Sequence, residues 1–210
     1  MCTAHGIAGC FQFLEAHDLR KSRTDTPETF GSEFTPISRM MIYAGERIIE
    51  NTLNTDAGAE IRDGVKYLHK VGVCEESFWP YTKENLTKAP SAEALEKAKG
   101  HRISSYYRLV SLNDMLHCLS QGYPFVFGSY LMESFMSDAV ARTGMVPDPK
   151  GKESPVGGHC MMCIGYDSDT KLFHVVNSWS DTWGIHGTCY MSYSYLANPN
   201  LTDDIWTLRR

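Results

Sequence analysis

The chain holds 210 residues, with 20 Lys and Arg against 25 Asp and Glu, giving a net charge of −5. Hydrophobic residues make up 42% of it; at this length that is a globular protein, one large domain or two lobes, able to bury roughly 70% of its unfolded surface. The composition excludes a collagen-like fibre, a coiled coil and a disordered tail, no apolar run approaches the roughly 18 residues of a membrane helix, and a pI near 5.9 with scattered Lys and Arg gives no basic stripe for nucleic acid.

In chain order, Ile7, Cys10, Phe11 and Leu14 recur at i, i+3, i+4, i+7 and predict a buried helical stripe from about Cys2 to before Lys21. Thr24 to Phe34 is polar, with Pro27 and Gly31, and reads as a loop. A second helix follows Pro36 with Ile37, Met41, Ala44 and Ile48 on one face. A third runs from about Ala59 to Val71, with Ile61, Val65 and Leu68 inward and Gly72 at the C′ position. Ser91 to Lys99 reads as a solvated helix or linker closed by Gly100.

The second half changes character. Tyr106–Val110 and Tyr123–Tyr130 are aromatic and β-branched and flank a short helix near Leu112–Leu119. Strands are then predicted at His159–Tyr166, Lys171–Trp179, Thr188–Tyr193 and Ile205–Leu208, joined by short turns, as in an antiparallel sheet. Helices first and strands second predict an α+β protein divided near residues 100–106.

Seven cysteines are too few for a disulfide scaffold and odd in number, which fits a reduced, cytoplasmic chain. Its start lacks a basic segment and soon meets Glu15 and Asp18, so it contains no signal peptide.

Cys2 stands where the first helix begins. A helix N-terminus carries about half a positive charge and free N–H donors, which favour a thiolate. A lone cysteine is more commonly a buried structural residue; what distinguishes Cys2 is its company. If Asp167, Ser168 and Asp169 close a hairpin, Tyr166 faces Thr170 and His159 faces Asn177. The Asn carboxamide can then hold one imidazole nitrogen and leave the other to take a proton from a thiol. A slip of one residue would put the pair on opposite faces. His5, one helical turn from Cys2, is an alternative base. His159, Cys160 and Cys163 resemble a zinc-binding C-x-x-C, but in a strand the two thiols point to opposite faces, so no metal is expected. Asp203-Asp204 and Glu75-Glu76 read as solvated loop charges.

The order Cys2, His159, Asn177 resembles the papain-like cysteine peptidases, and the similarity spans nearly the whole chain. It is carried by Cys2-Thr3-Ala4, by Asp56-Ala57-Gly58-Ala59-Glu60-Ile61-Arg62-Asp63-Gly64, by Gly72-Val73 with Trp79-Pro80-Tyr81, and by Gly157-Gly158-His159 with Gly165-Tyr166. Its best signature is Asn177-Ser178-Trp179-Ser180, then Trp183-Gly184 and Gly187. Cys-Thr-Ala and Arg-Asp-Gly look closer to bacterial and viral members than to plant or lysosomal ones.

The resemblance implies a two-lobed fold, with a helical lobe at about 1–105, a β lobe at about 106–210 and the cleft between them. It implies a cysteine-type peptidase acting on peptide or protein substrates with no cofactor. Cys2 is the implied nucleophile, His159 the base and later acid, and Asn177 the residue that orients it. Trp179 packs over the pair, Gly58 and Ala59 offer backbone to the P2 residue, Gly158 accepts from the P1 amide, and Ile61 lines the S2 pocket. Three departures stand out. Ser180 occupies a family Gly position, an expected tolerated turn change, and Thr3 replaces the Trp after the nucleophile. The sequence carries no Gln about six residues before Cys2, where the family has an oxyanion donor, so weakened activity is expected. Two rivals remain: an inactive papain-like module that binds peptides or proteins, and amide transfer or deamidation by the same thiol.

Overall fold

The computed structural model describes residues 1–22 and 35–210, so the loop expected at Thr24–Phe34 lies outside the described residues. Helix α1 (Cys2–Ser22) buries Ile7, Cys10, Phe11 and Leu14 as its periodicity predicts. Helix α2 (Arg39–Ile49) is capped by Ser38, whose hydroxyl accepts from Met41 N at 3.0 Å. Ile37, Met41 and Ala44 face inward, but Ile48 is 40% exposed, because the helix ends one residue later and its last turn leaves the core. Helix α3 (Ile61–Lys70) buries Ile61, Val65 and Leu68, and Gly72 follows its end at φ +96. Helix α4 (Ala92–Ala98) is solvated except for Ala94 and Ala98.

A six-stranded antiparallel sheet follows: β1 (Ser105–Arg108), β2 (Phe125–Met132), β3 (Pro155–Asp167), β4 (Leu172–Val176), β5 (Thr188–Ser192) and β6 (Thr202–Arg209), in the order β1-β6-β2-β3-β4-β5. Helix α5 (Leu112–Ser120) carries a full capping box of Ser111 and Asp114. Two short helices that periodicity could not reveal, α6 (Asp138–Thr143) and α7 (Tyr193–Ala197), flank the sheet.

Alternation along the strands makes the sheet a wall between two cores. Val126, Cys160, Met162, Trp206 and Leu208 join Ile7, Phe11, Met41 and Leu68 of the helices. Phe125, Phe127, Met161, Cys163 and Ile205 join Phe173, Met191 and Tyr195 on the other side. Truncating a ring such as Phe11 or Phe127 to Ala in these interiors costs about 3–5 kcal/mol. No helix among the described residues is long and apolar enough to cross a membrane.

Candidate active site

Gly6 lets α1 lie directly on the sheet: a Cβ there would stand 2.8 Å from Val126 Cγ2 and 3.0 Å from Cys160 Sγ. That close approach brings the first turn of α1 to β3, so Cys2 and His159 line one cleft of about 310 Å³. Cys2 is half-buried, and the other six cysteines are buried and free. Burial pushes the Cys2 thiol up, but hydrogen bonding with His159, the His159 charge and the Cys160 backbone pull it down to about 7. Burial drives the others the opposite way: Cys10, Cys160 and Cys163 well above their usual range, Cys74 to about 11 and Cys189 to about 12. Among these thiols Cys2 alone is acidified.

His159 Nε2 donates to Asn177 Oδ1 at 2.8 Å, which leaves Nδ1 for the thiol. The pair does not meet by the register expected from sequence. The hairpin turn holds four residues, 168–171, so Asp167 faces Leu172 rather than Tyr166 facing Thr170. The pairing thereby slips by three residues, Tyr166 facing Phe173, and an odd slip alone would move Asn177 to the wrong face. A bulge at Ile164, between the pairs Cys163–Val175 and Gly165–His174, shifts the register once more and restores the face. His159 lies opposite Ser129 of β2, and Asn177 sits just beyond the end of β4. There Asn177 N donates to Gly187 O at 2.9 Å, and Asn177 Oδ1 also accepts from Ser178 N at 2.8 Å. The Trp179 ring lies 5.1 Å from the imidazole, backed by Phe135 and Trp183. Asn177 is consequently 8% exposed.

The opposite wall descends from Arg47, a fully buried guanidinium. It donates to the carbonyls of Tyr43 at 3.3 Å, Leu53 at 3.2 Å and Thr55 at 3.0 Å, and to Leu86 O. The Tyr43 hydroxyl donates to Asp56 and accepts from Gly58 N at 3.2 Å. The segment leading to Gly58 is thus held from below, and Gly58, at φ +80 with open space where a Cβ would stand, needs glycine for its conformation rather than for room. Gly58, Ala59, Ile61 and Gly158 all line the cleft with Cys2 and His159.

Sequence reasoning missed other members of the cleft, chiefly Glu60, Gly128, Asp203 and Asp204. Asp203 and Asp204 lie not in a loop but in β6, on the cleft wall; Asp203 is exposed as expected and Asp204 is half-buried. Glu76 is half-buried, pairing with Arg39 at 3.4 Å and accepting from Tyr81 N at 2.7 Å. His5 lies in a smaller neighbouring cavity, edge-on to Tyr81. Burial, Arg39 and other nearby charges hold its imidazole down at about 4, too weak a base to compete for a thiol proton near neutrality. Cys160 and Cys163 enter opposite cores, as strand alternation requires.

The model of the papain family cysteine proteases matches residues 42–204. The chain belongs to the papain family of cysteine proteases. Its sequence is 37% identical to an uncharacterized peptidase C1-like protein, L477, of Acanthamoeba polyphaga mimivirus, over 99% of this chain and 66% of that protein. The chain therefore spans just under two thirds of the viral relative's length. Among solved structures it resembles xylellain, a cysteine protease from Xylella fastidiosa, with a TM-score of 0.86 and 34% identity, covering 99% of this chain and 78% of that one. Bromelain from Ananas comosus shares the fold at 16% identity and a TM-score of 0.59, over 99% of this chain and 88% of its own. The nearer likeness to viral and bacterial proteins than to a plant one agrees with the Cys-Thr-Ala and Arg-Asp-Gly signatures.

Two departures from the family pattern acquire a physical content. Thr3, in place of the family Trp, donates its hydroxyl to the buried Glu46 carboxyl at 2.8 Å. Ser180, in place of the family Gly, sits at φ +92, a conformation that glycine adopts freely and an L-residue does not. Its hydroxyl lies 2.8 Å from that of Thr182 and accepts from Thr182 N at 3.3 Å. The turn change is therefore strained.

Proposed function

We propose that this chain hydrolyses peptide bonds by thiol catalysis, with Cys2 as nucleophile, His159 as base and then acid, and Asn177 as the positioning residue. The observation that carries it is the acidified Cys2 thiol beside an imidazole whose far nitrogen is fixed at 2.8 Å by Asn177 Oδ1. Residues 1–105 and 106–210 form the two lobes of this reading, and substrate lies across the cleft between them.

The Cys2 thiolate attacks the substrate carbonyl, and the oxygen takes the charge. Cys2 N–H, in the first turn of α1 and without an intrahelical acceptor, faces that developing charge. His159 delivers the thiol proton to the leaving amine, and the acyl-enzyme is then opened by water that His159 deprotonates. Gly58 and Ala59 bind the P2 backbone, Gly158 accepts from the P1 amide, and Ile61 lines S2. Trp179 keeps water from the His159–Asn177 bond, which strengthens it.

The test uses a fluorogenic peptide panel and a small alkylating probe on the wild type, Cys2→Ala and His159→Ala. Turnover lost in both variants, with alkylation at Cys2 in the wild type, supports the reading. Peptide binding without turnover or labelling refutes it in favour of a binding module, and ammonia release from glutamine peptides without chain cleavage refutes it in favour of deamidation.

A further inference from the structure

Building on Cys2 as nucleophile and Asn177 as the residue that orients His159, we propose that His5 is a further positioning residue: through one bound water it anchors the amide nitrogen of Asn177 and so fixes the carboxamide that holds the imidazole.

The Asn177 carboxamide is satisfied on one side only. Its Oδ1 accepts from His159 Nε2 and from Ser178 N, each at 2.8 Å, which uses both lone pairs of the oxygen. Its Nδ2 is buried and meets no acceptor among the described residues. The residue as a whole is more than nine-tenths buried, so bulk solvent does not serve that nitrogen. A buried donor without an acceptor loses its hydration and gains nothing in return. It also leaves the amide free to turn about its broad terminal torsion, which would carry Oδ1 away from His159.

Asn177 lines a second cavity, of about 120 Å³, whose apolar walls are chiefly Gly9, Met162 and Val176. His159 is not among its walls, so Oδ1 is the atom turned to the catalytic cleft and Nδ2 the atom turned to this cavity. A water occupies about 30 Å³ in the liquid and wants two to four polar partners, so the space is ample and the partners decide. Nδ2 is one. Ser178, also on the wall, is exposed. His5 is the remaining polar side chain of the lining.

His5 is placed there by α1. Gly6 and Gly9 are bare where the helix meets β3, and a Cβ on Gly9 would stand 3.2 Å from Met162 Sδ. The imidazole is held from outside by Tyr81, edge-on at 5.7 Å, with Arg39 over the Tyr81 ring at 5.2 Å. Burial and the Arg39 charge keep it neutral wherever the Cys2 thiol ionises, so one ring nitrogen retains a lone pair. The polarity then closes: the water accepts from Asn177 Nδ2 and donates to His5. A charged imidazole, donor at both nitrogens, could not complete that chain.

A high-resolution crystal structure of the wild type is expected to show an ordered water within hydrogen-bonding distance of both Asn177 Nδ2 and a His5 ring nitrogen; a cavity without it overturns the proposal. In solution, His5→Leu should lower kcat on a fluorogenic peptide by about tenfold with KM unchanged, the scale of one buried hydrogen bond. His5→Gln, whose amide oxygen can accept in place of the ring nitrogen, should restore most of it. In an Asn177→Ala background the same His5→Leu change should alter kcat by less than about twofold, because its effect passes through the missing carboxamide. Equal losses in the two backgrounds would mark a merely structural side chain and overturn the proposal. Alkylation of Cys2 reports on the nucleophile alone and the crystal structure needs no turnover, so failure of the catalytic reading and failure of this one are distinguishable.

Discussion

Removing the imidazole should convert Cys2 from a reactive thiolate into an ordinary buried thiol. With its thiol at about 7, Cys2 is half ionised at pH 7. In His159→Ala the leading contribution, burial, persists and raises the thiol from its usual 9.0, while the two largest opposing influences, the His159 hydrogen bond and charge, are gone and only the smaller N-terminal charge and Cys160 backbone remain. Even at 9.0 the thiolate fraction at pH 7 is about one in a hundred, so alkylation by iodoacetamide should slow by about 50-fold or more. The midpoint of the rate–pH profile should move from about 7 to above 9. Asn177→Ala removes only the 2.8 Å contact to Nε2, so its midpoint should stay within about one unit of the wild type while peptide turnover falls. The assay is a stopped alkylation series from pH 5 to 10, with adducts mapped by mass spectrometry. First labelling at Cys74 or Cys118, or an unchanged midpoint in His159→Ala, would refute the reasoning.

Three further outcomes follow from buried or strained groups. Burial raises the Glu46 carboxyl well above its usual 4.5, against the hydrogen bond from Thr3, so the folded chain keeps a proton that the unfolded chain releases. Stability should therefore fall as pH rises from about 4.5 toward the folded value; Glu46→Gln should remove that fall, and parallel urea midpoints for both proteins from pH 5 to 8 would contradict it. Ser180→Gly relieves the φ +92 backbone and should stabilise by about 1 kcal/mol, raising Tm by about 2–4 °C in calorimetry; an unchanged or lower Tm refutes the strain. Arg47→Met leaves buried carbonyls at Tyr43, Leu53 and Thr55 without their donor and should cost about 2–5 kcal/mol in urea titrations, while raising KM as Gly58–Ala59 loosens. A loss below about 1 kcal/mol would mean that this strut is dispensable.

The long helices and the strand order of types were legible because Ile7, Phe11, Ile61 and Leu68 repeat at helical spacing and the β-branched and aromatic runs do not. The meeting of His159 with Asn177 was legible in outcome and wrong in route. Turn position and the Ile164 bulge are backbone features that no residue type announces, and their shifts, three residues and one, add to an even number that returns Asn177 to the correct face. Charge was the least readable property. Glu46 and Arg47 are adjacent and fully buried in α2, and Asp203 and Asp204 stand on a cleft wall; in the sequence each pair has the look of solvated surface. Partners as distant as Thr3, Leu86 and Ile61 decide these cases, and only the fold brings them together.

The sheet's role as a shared wall has a consequence for the order of synthesis. Trp206 and Leu208 of β6 complete the core built by α1, α2 and α3, and β1, at the edge of the sheet, pairs with β6, with Ser104 N bonded to Arg209 O at 2.8 Å. The helices are made first, yet their core stays open until a strand more than a hundred residues downstream has emerged and crossed back. Such long-range closure is slow and comes late. Since Cys2 owes its acidity to an imidazole held in that sheet, the nascent chain carries only an ordinary thiol while it is being made, and acquires a reactive one when the last strand docks.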